Sequence, residues 1–329
     1  MKHFTKLLPV ATALVALSTS AAFAQEYKLK VGVSTPEGYS YNVALAEFKK
    51  QVEEGSNGDI EVTVFPSSQM GGEAEMARNV QIGTLEATVV STSNISPFLP
   101  SLQVLSVPYL LNSIECAMAV TSGDVGQEMA KELQEKADIH VLGYYTFGYR
   151  QLFNTKRPIN SVSDVAGLKI RIPPDKYLEQ TWSEMGASPI PLPFSELFPA
   201  LQQGVVDGDA NPISSIKQFK WYEVVDNVAV TNVAVGMATF AMNGRFFNSL
   251  PEEYQKLVTD AAANSVGVNI SADAANTEEA VVFLKEQGVE FTEPDLAGFR
   301  EAAQPVLDAA SEEFGKELID RIVAAQDGC

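Results

Sequence analysis

Residues 251–287 read PEEYQKLVTDAAANSVGVNISADAANTEEAVVFLKEQ, and this stretch determines how the chain is organised. After Pro251 it contains no proline and a single glycine, Gly267. Pro251 suits a first helical turn, and Gly288 suits the residue after a helix. One helix over all 37 residues is about 55 Å long, which exceeds the width of one lobe. The stretch therefore predicts a helix that joins two lobes, and two helices with a break near Asn269 are the alternative.

The rest of the chain alternates between strand-like and helix-like segments. Short apolar or alternating runs predict strands at 27–34, 59–65, 86–91, 139–146, 168–172, 188–193, 205–210, 224–233 and 237–243. Amphipathic patterns predict helices at 41–53, 73–82, 114–136, 175–185 and 195–203. This order predicts an α/β fold with mostly parallel strands, because parallel neighbours need a helical crossover. We expect two sheets in sequence and two lobes with a ligand cleft between them. The expected lobe I comprises residues 25–147 and about 237–276, and the expected lobe II comprises 148–236 and about 277–329.

The N-terminus has the pattern of a secretory signal. Two lysines precede an apolar run over residues 7–17, which is short for a bilayer span, and Ala-Phe-Ala at 22–24 suits a cleavage site. Residues 1–24 are therefore predicted to be a signal peptide, and the mature chain is expected to start at Gln25 in a bacterial periplasm. No later segment is apolar for long enough to predict insertion into a membrane.

The mature chain is strongly acidic. Removal of the signal leaves 21 basic and 42 acidic residues, a formal charge of −21. Such a surface repels nucleic acid and anionic lipid at long range, so neither is expected as a partner. We expect a monomer.

Cysteine and histidine are scarce. Cys116 and Cys329 could pair in an oxidising compartment, but a chain terminus offers no fixed geometry, so unpaired thiols are favoured. His140, the only histidine of the mature chain, lies between two apolar residues of a predicted strand and is expected to be structural. Metal sites rich in His or Cys, nucleophile–histidine pairs and cofactors are not expected. The chain is predicted not to be an enzyme, although a hydrolase built on a carboxylate pair stays open.

Two of the seven mature arginines stand out. Arg171 lies near the carboxyl end of the predicted strand 168–172, where open α/β sheets bind ligands. Arg150 follows the last predicted strand of lobe I, and aromatic residues flank it. A guanidinium among aromatic rings suits a planar anion held by two hydrogen bonds. Each arginine alone fits a surface strand better, but their shared position at the lobe ends favours a site for a small acid. The others are expected to be solvated and are Arg78, Arg157, Arg245, Arg300 and Arg321.

Six segments between Lys28 and about Gly288 carry a resemblance to a known family. They are FPSSQMGG (65–72), VQIGTLEA (80–87), VLSVPYLL (104–111), YRQLFNTKRPINSVSDVAGLKIRIP (149–173), GASPIPLPFSELFPALQQGVVDGDANP (186–212) and KWYEVVDN (220–227). In this order they resemble the solute-binding proteins of TRAP transporters (tripartite ATP-independent periplasmic transporters), the dicarboxylate-binding-protein-like family. The resemblance implies a periplasmic binding protein fold that closes on a small organic acid, with an interlobe helix. It also implies delivery of the acid to small and large membrane subunits that an ion gradient drives.

The resemblance also assigns site residues. The arginine of the KIRIP-type strand, here Arg171, is expected to hold the carboxylate of the ligand, with Arg150 as a second contact. Asn211 of the DGxxNP turn is expected to support that site, and Phe194 is expected to line the pocket. The candidates in lobe I follow from position and are Ser91, Asn94, Tyr39 and Ser34.

One turn departs from the family pattern. It commonly reads DGQENP, whereas residues 207–212 read DGDANP, so Asp209 replaces an amide, Ala210 replaces an acid and Asn211 is retained. The change bears on which acid is bound. A hydroxy acid or sugar acid is favoured, because the polar candidates suit hydroxyl groups; a dicarboxylate, a small sulfonate and an aromatic acid are the alternatives. An exported enzyme and a ligand-presenting partner of a membrane sensor are the alternative functions.

Overall fold

The computed structural model describes Met1 and residues 26–329. The predicted signal peptide over residues 1–24 therefore lies, apart from Met1, outside the described residues. Within the described part of the chain, no helix is long and apolar enough to cross a membrane.

Residues 26–329 form nine strands and twelve α-helices. The strands are β1 (Tyr27–Val33), β2 (Ile60–Phe65), β3 (Ala87–Ser91), β4 (Ile139–Asn154), β5 (Lys169–Ile172), β6 (Ser188–Pro191), β7 (Gly208–Asn211), β8 (Asn227–Asn243) and β9 (Glu290–Thr292). The helices are α1 (Ser40–Gly55), α2 (Glu73–Ile82), α3 (Thr92–Ile95), α4 (Ile114–Ser122), α5 (Asp124–Ala137), α6 (Lys176–Glu184), α7 (Leu197–Gln202), α8 (Ile213–Gln218), α9 (Gly244–Ser249), α10 (Glu252–Glu286), α11 (Leu296–Phe314) and α12 (Lys316–Ala324). Short 3-10 turns occupy Ser96–Phe98, Pro100–Ser106, Val162–Val165, Phe194–Glu196 and Trp221–Glu223.

All nine strands belong to one sheet. Its order is β2-β1-β3-β8-β4-β7-β5-β6, with β9 paired to β8. The pairs β1–β2, β1–β3 and β5–β6 are parallel, whereas β3–β8, β8–β4 and β4–β7 are antiparallel. We call the end with β1, β2 and β3 lobe I and the end with β5, β6 and β7 lobe II. The long strands β4 and β8 run through both.

The predicted α/β class with two lobes is confirmed, but one detail of the predicted sheet is wrong, since there is one sheet where two were expected. Five of its eight strand pairs are parallel and three, all involving β4 or β8, are antiparallel. The segment predicted as a strand over 139–146 continues to Asn154, and the segments at 224–233 and 237–243 are parts of β8. Because β4 and β8 are 16 and 17 residues long, they reach both lobes and join the two groups of short strands.

Helix α10 is continuous over 35 residues, which decides between the two alternatives for the stretch 251–287. Near its start, Val258 and Ala262 pack in one apolar core with Phe48 of α1. Near its end, Ala280 and Leu284 belong to a second core. The helix therefore packs on both lobes, as the absence of internal proline predicted.

The cysteines contradict the expectation of unpaired thiols. Cys116 in α4 and Cys329 form a disulfide with Cα atoms 5.3 Å apart. The chain end has a fixed position because Gln326 accepts a hydrogen bond from the backbone N–H of Asn112 at 2.8 Å and donates one to the carbonyl of Leu110 at 3.0 Å. Nothing local in the sequence shows these contacts.

The residue boundaries of the lobes stay a prediction. The two C-terminal helices form hydrogen bonds with helices of different lobes. In α11, Glu313 accepts a hydrogen bond from Tyr177 of α6 at 2.9 Å. In α12, Arg321 donates to Glu128 of α5 at 2.8 Å. The last helix thus lies against a helix that the prediction placed in lobe I.

Candidate functional site

A cleft with two adjoining chambers lies between the lobes. The inner chamber has a volume of about 30 Å³ and the outer one about 330 Å³. Four residues line both chambers, and they come from opposite sides of the cleft: Glu73, Asn94, Arg171 and Phe194. Inner and outer here name the smaller and the larger chamber, and Arg150 lines only the smaller one.

The side chain of Arg171 forms one wall of the cleft. Strands β5 and β7 are parallel neighbours, and their register places Asp209 opposite Arg171. Nη1 of Arg171 lies 3.4 Å from Oδ2 of Asp209, and Nε donates to the carbonyl of Leu192 at 2.9 Å. The guanidinium carbon lies 5.7 Å from the centre of the Phe194 ring. These contacts fix the plane of a guanidinium that is 3% exposed.

Arg150 reaches the same chamber from the long strand β4. It follows a bulge at Gly148, whose φ of +85° is unfavourable for residues with a side chain. Nη1 of Arg150 donates to the carbonyl of Ala210 at 2.8 Å and lies 3.5 Å from Oδ1 of Asn211. Burial lowers the pKa of the Arg150 guanidinium, Asp209 acts in the opposite direction, and the charge of Arg171 lowers the pKa further.

Asp209 connects Arg171 and Asn211. Its Oδ1 accepts a hydrogen bond from the backbone N–H of Ala210 at 2.7 Å, and Oδ2 accepts one from the amide of Asn211. Asp209 is 1% exposed. The sequence marked this residue as a departure from the family pattern but did not identify it as the counter-charge of Arg171.

On the lobe I side, the carboxylate of Glu73 accepts hydrogen bonds from three of the predicted residues. The hydroxyl of Ser34 donates to Oε1 of Glu73 at 2.7 Å. Oε2 accepts from the backbone N–H of Ser91 at 3.0 Å and from the amide of Asn94 at 2.7 Å. Sequence reasoning missed Glu73. The available signal was an acid directly after two glycines at a predicted helix start, where the helix dipole favours negative charge.

Tyr39 bridges the two lobes. Its phenolic oxygen lies 3.1 Å from the hydroxyl oxygen of Ser215 in α8, and both residues are buried. The Tyr39 ring packs edge-on against Tyr41 and Phe219. Burial raises the pKa of Tyr39, and Asp273 contributes in the same direction. Tyr39 is therefore a neutral hydrogen-bonding group at neutral pH.

All eight predicted site residues line the cleft. Seven line the inner chamber, namely Tyr39, Ser91, Asn94, Arg150, Arg171, Phe194 and Asn211, and Ser34 lines the outer one. Their contacts with a ligand remain a prediction. The structure adds Thr35, Tyr41, Glu73, Phe147 and Pro173 to the lining of the inner chamber.

His140 lies in β4, and its ring stacks on Phe247 with the ring centres 3.7 Å apart. Burial lowers its pKa to about 4, so the imidazole is neutral at neutral pH. Among residues 26–329, no group of three or more His, Cys, Asp or Glu side chains is arranged to hold a metal ion.

Comparison with known proteins places this architecture in a family. A family model described as bacterial extracellular solute-binding protein, family 7, matches residues 31–313. A solute-binding protein of Roseobacter denitrificans is 34% identical over 317 residues, which are 95% of this chain and 97% of the relative.

Two solved structures are similar over nearly the whole fold. A TRAP periplasmic solute-binding protein of Polaromonas, bound to D-erythronate, has a TM-score of 0.88 and 33% identity and covers 92% of this chain and 99% of its own. A TRAP periplasmic solute-binding protein of R. denitrificans, with bound L-galactonate, has a TM-score of 0.85 and 30% identity and covers 91% of this chain and 99% of its own.

A two-lobed α/β fold with a polar, arginine-lined cleft defines the class of this protein, which is a solute-binding protein. The chain belongs to the bacterial extracellular solute-binding proteins of family 7, and the resemblance to TRAP solute-binding proteins is confirmed. The prediction that the chain is not an enzyme is also confirmed, since the family consists of solute-binding proteins.

Proposed function

We propose that this protein captures a small hydroxy acid or sugar acid in the periplasm and delivers it to the small and large membrane subunits of a TRAP transporter. The observation that carries this proposal is the pair of guanidinium groups in one cleft, since Arg150 and Arg171 are only 6% and 3% exposed. Export through the signal peptide over residues 1–24 is part of the proposal.

The chemistry of the cleft supports an acid as the ligand. A carboxylate that leaves water for a closed cleft loses several kcal/mol of hydration unless charged donors replace the water. For Arg171, the described residues accept hydrogen bonds from Nε and Nη1 but none from Nη2. Arg150 likewise uses only Nη1 within the described residues. The unused donors of both side chains are available for the carboxylate of a ligand.

The opposite wall supports hydroxyl groups on that acid. Glu73 presents acceptor oxygens to both chambers, and Asn94 and Ser91 flank it. A carboxylate accepts hydrogen bonds from hydroxyl groups and offers no donor in return. The two similar solved structures carry sugar acids, D-erythronate and L-galactonate, which have this combination of one carboxylate and several hydroxyls.

A thermal-shift screen of the mature chain tests the proposal. The panel contains sugar acids, hydroxy acids, dicarboxylates, small sulfonates and aromatic acids. A ligand at 100 times its dissociation constant stabilises the folded state by about 2.7 kcal/mol, which raises the melting temperature measurably. We expect a shift with at least one hydroxy acid or sugar acid. A shift only with sulfonates or aromatic acids would contradict the proposed ligand class.

Delivery is tested separately, by uptake of the acid into liposomes that contain TRAP membrane subunits. We expect uptake only when this protein and an ion gradient are both present. Binding without any uptake would favour the alternative function, a ligand-presenting partner of a membrane sensor. The monomeric state is a further part of the proposal, and light scattering of the mature chain tests it.

A further inference from the structure

The charged residues of the cleft are unevenly placed. Arg150 lines only the inner chamber and Arg171 lines both. Of the acids, Glu73 lines both chambers, whereas Glu75 and Glu196 line only the outer one. Neither lining includes a lysine or a third arginine. Basic side chains therefore outnumber acidic ones in the lining of the inner chamber, and acidic side chains outnumber basic ones in the lining of the outer chamber.

Arg171 already has an internal anionic partner. Asp209 is 1% exposed and accepts hydrogen bonds from Arg171, Asn211 and the backbone of Ala210. All three neighbours donate hydrogen bonds, and an ionised carboxylate only accepts them, so these neighbours satisfy it. Asp209 thus balances one of the two guanidinium charges. The other guanidinium charge remains for the carboxylate of a ligand, and Glu73 is the one acid in the lining of the inner chamber.

We propose that the cleft selects acids with a single negative charge and rejects dianions of the same length, and that Asp209 and Glu73 determine this selectivity. The inference rests on the proposed function. The carboxylate of the ligand takes the unused donors of the arginines, and its hydroxyl groups extend toward Glu73. A second carboxylate would lie beside Glu73 without a cationic partner, and like charges at close range in a closed cleft repel each other.

Matched pairs of acids test this selectivity. D-erythronate and meso-tartrate, D-gluconate and D-glucarate, and L-galactonate and galactarate differ only in whether the last carbon is an alcohol or a carboxylate. Calorimetry of the mature chain at neutral pH and physiological salt measures both members of each pair. For at least one pair we expect the monoanion to bind at least tenfold more tightly, which corresponds to 1.4 kcal/mol.

Two variants test the assigned residues. We expect Asp209→Asn and Glu73→Gln each to reduce the ratio of monoanion to dianion affinity at least threefold. Asp209→Asn removes the counter-charge of Arg171, and Glu73→Gln removes an acid that lines both chambers. Glu312→Gln is the control, since it changes net charge equally at an exposed residue of α11. Melting curves verify that each variant folds, and the affinity ratio within one variant does not depend on its stability.

The possible failures are distinguishable. If an acid of the panel binds but no pair shows a tenfold preference for the monoanion, the inference is overturned and the proposed function stays intact. An unchanged ratio in both variants overturns the roles of Asp209 and Glu73. If no acid of the panel binds, the proposed function fails, and the inference fails with it.

Discussion

The hydroxyl of Ser93 in α3 donates a hydrogen bond to Oδ2 of Asp175 at 2.6 Å, and both residues are buried. Asp175 also caps α6, since its Oδ1 accepts from the backbone N–H groups of Tyr177 and Leu178. The bond therefore ties lobe I to the start of a lobe II helix. The contact between Tyr39 and Ser215 is a second direct hydrogen bond between the lobes.

These two bonds are expected to stabilise the closed state. Separation of the lobes breaks both, and one buried hydrogen bond contributes about 0.5–1.5 kcal/mol. We expect Ser93→Ala or Tyr39→Phe to weaken binding of the acid about 2- to 10-fold, because a smaller fraction of the protein is closed. Calorimetry gives the affinity, and small-angle scattering without ligand should show a larger radius of gyration. Ser122→Ala, which removes an exposed hydroxyl bonded within α4, is the control and should change neither quantity.

Arg171 is predicted to be the main contact of the carboxylate. Arg171→Ala should abolish measurable binding, but it also leaves Asp209 without its cationic partner, which costs about 3–5 kcal/mol of stability. Arg171→Lys separates the two effects, because it keeps the charge and loses the planar pair of donors. We expect the lysine variant to melt close to wild type and to bind at least about 30-fold more weakly. Near-wild-type affinity in that variant would refute the role of Arg171, and Arg78→Lys on the exposed face of α2 is the control.

The short helices and strands were predicted well because the residue patterns that indicate them lie within each segment and its immediate neighbours. The helix at 73–82 was predicted with the bounds that the structure shows, and the strand around Arg171 ends where two prolines follow it. The long central strands were missed because glycines interrupt their patterns. At Gly148 the strand continues through a bulge with φ of +85°. At Gly236 an added Cβ would lie 2.2 Å from the Phe147 ring, so the glycine makes room for an aromatic neighbour.

The partners of the site residues could not be predicted in the same way. Arg171 and Asp209 are 38 residues apart, and Ser34 and Glu73 are 39 apart, so sheet register and helix placement bring them together. Sequence position and the resemblance to the family predicted Arg150, Arg171 and Asn211 as site residues, but they could not show that Asp209 is the counter-charge of Arg171. The disulfide was missed for a related reason, because long-range contacts of Gln326 hold the chain end in place.

The disulfide is expected to contribute strongly to stability. It closes a loop between residues 213 positions apart, and long loops gain most from such a bond in the chain-entropy model. We expect Cys116→Ser/Cys329→Ser to lower the free energy of unfolding by about 2–4 kcal/mol, measured by urea denaturation. A reducing agent should lower the stability of the wild-type protein to that of the variant and leave the variant unchanged. Equal stability of the oxidised wild type and the variant would contradict this prediction.

Asp273 is predicted to make stability depend on pH. It lies in the middle of α10 and is 3% exposed. Its carboxyl group is close to the backbone of Gly148, since a Cβ added to that glycine would lie 2.8 Å from Oδ2 of Asp273. Burial raises the pKa of its carboxyl group from 3.8 to about 7. Between these two values the unfolded chain has lost the proton and the folded chain still binds it. The contribution of this group to stability is therefore fully present below about pH 4 and is lost as the pH rises to about 7.

Asp273→Asn removes the titration and keeps the shape of the side chain. Each pKa unit corresponds to about 1.4 kcal/mol, so we expect the variant to be more stable than wild type by about 2–4 kcal/mol at pH 8. The gain should shrink toward zero as the pH falls to about 4. Urea denaturation of both proteins across this range measures the difference. Glu286→Gln, at an exposed acid of the same helix, should give a difference near zero at every pH. A gain for Asp273→Asn that does not change with pH would show that the carboxyl group does not titrate in this range.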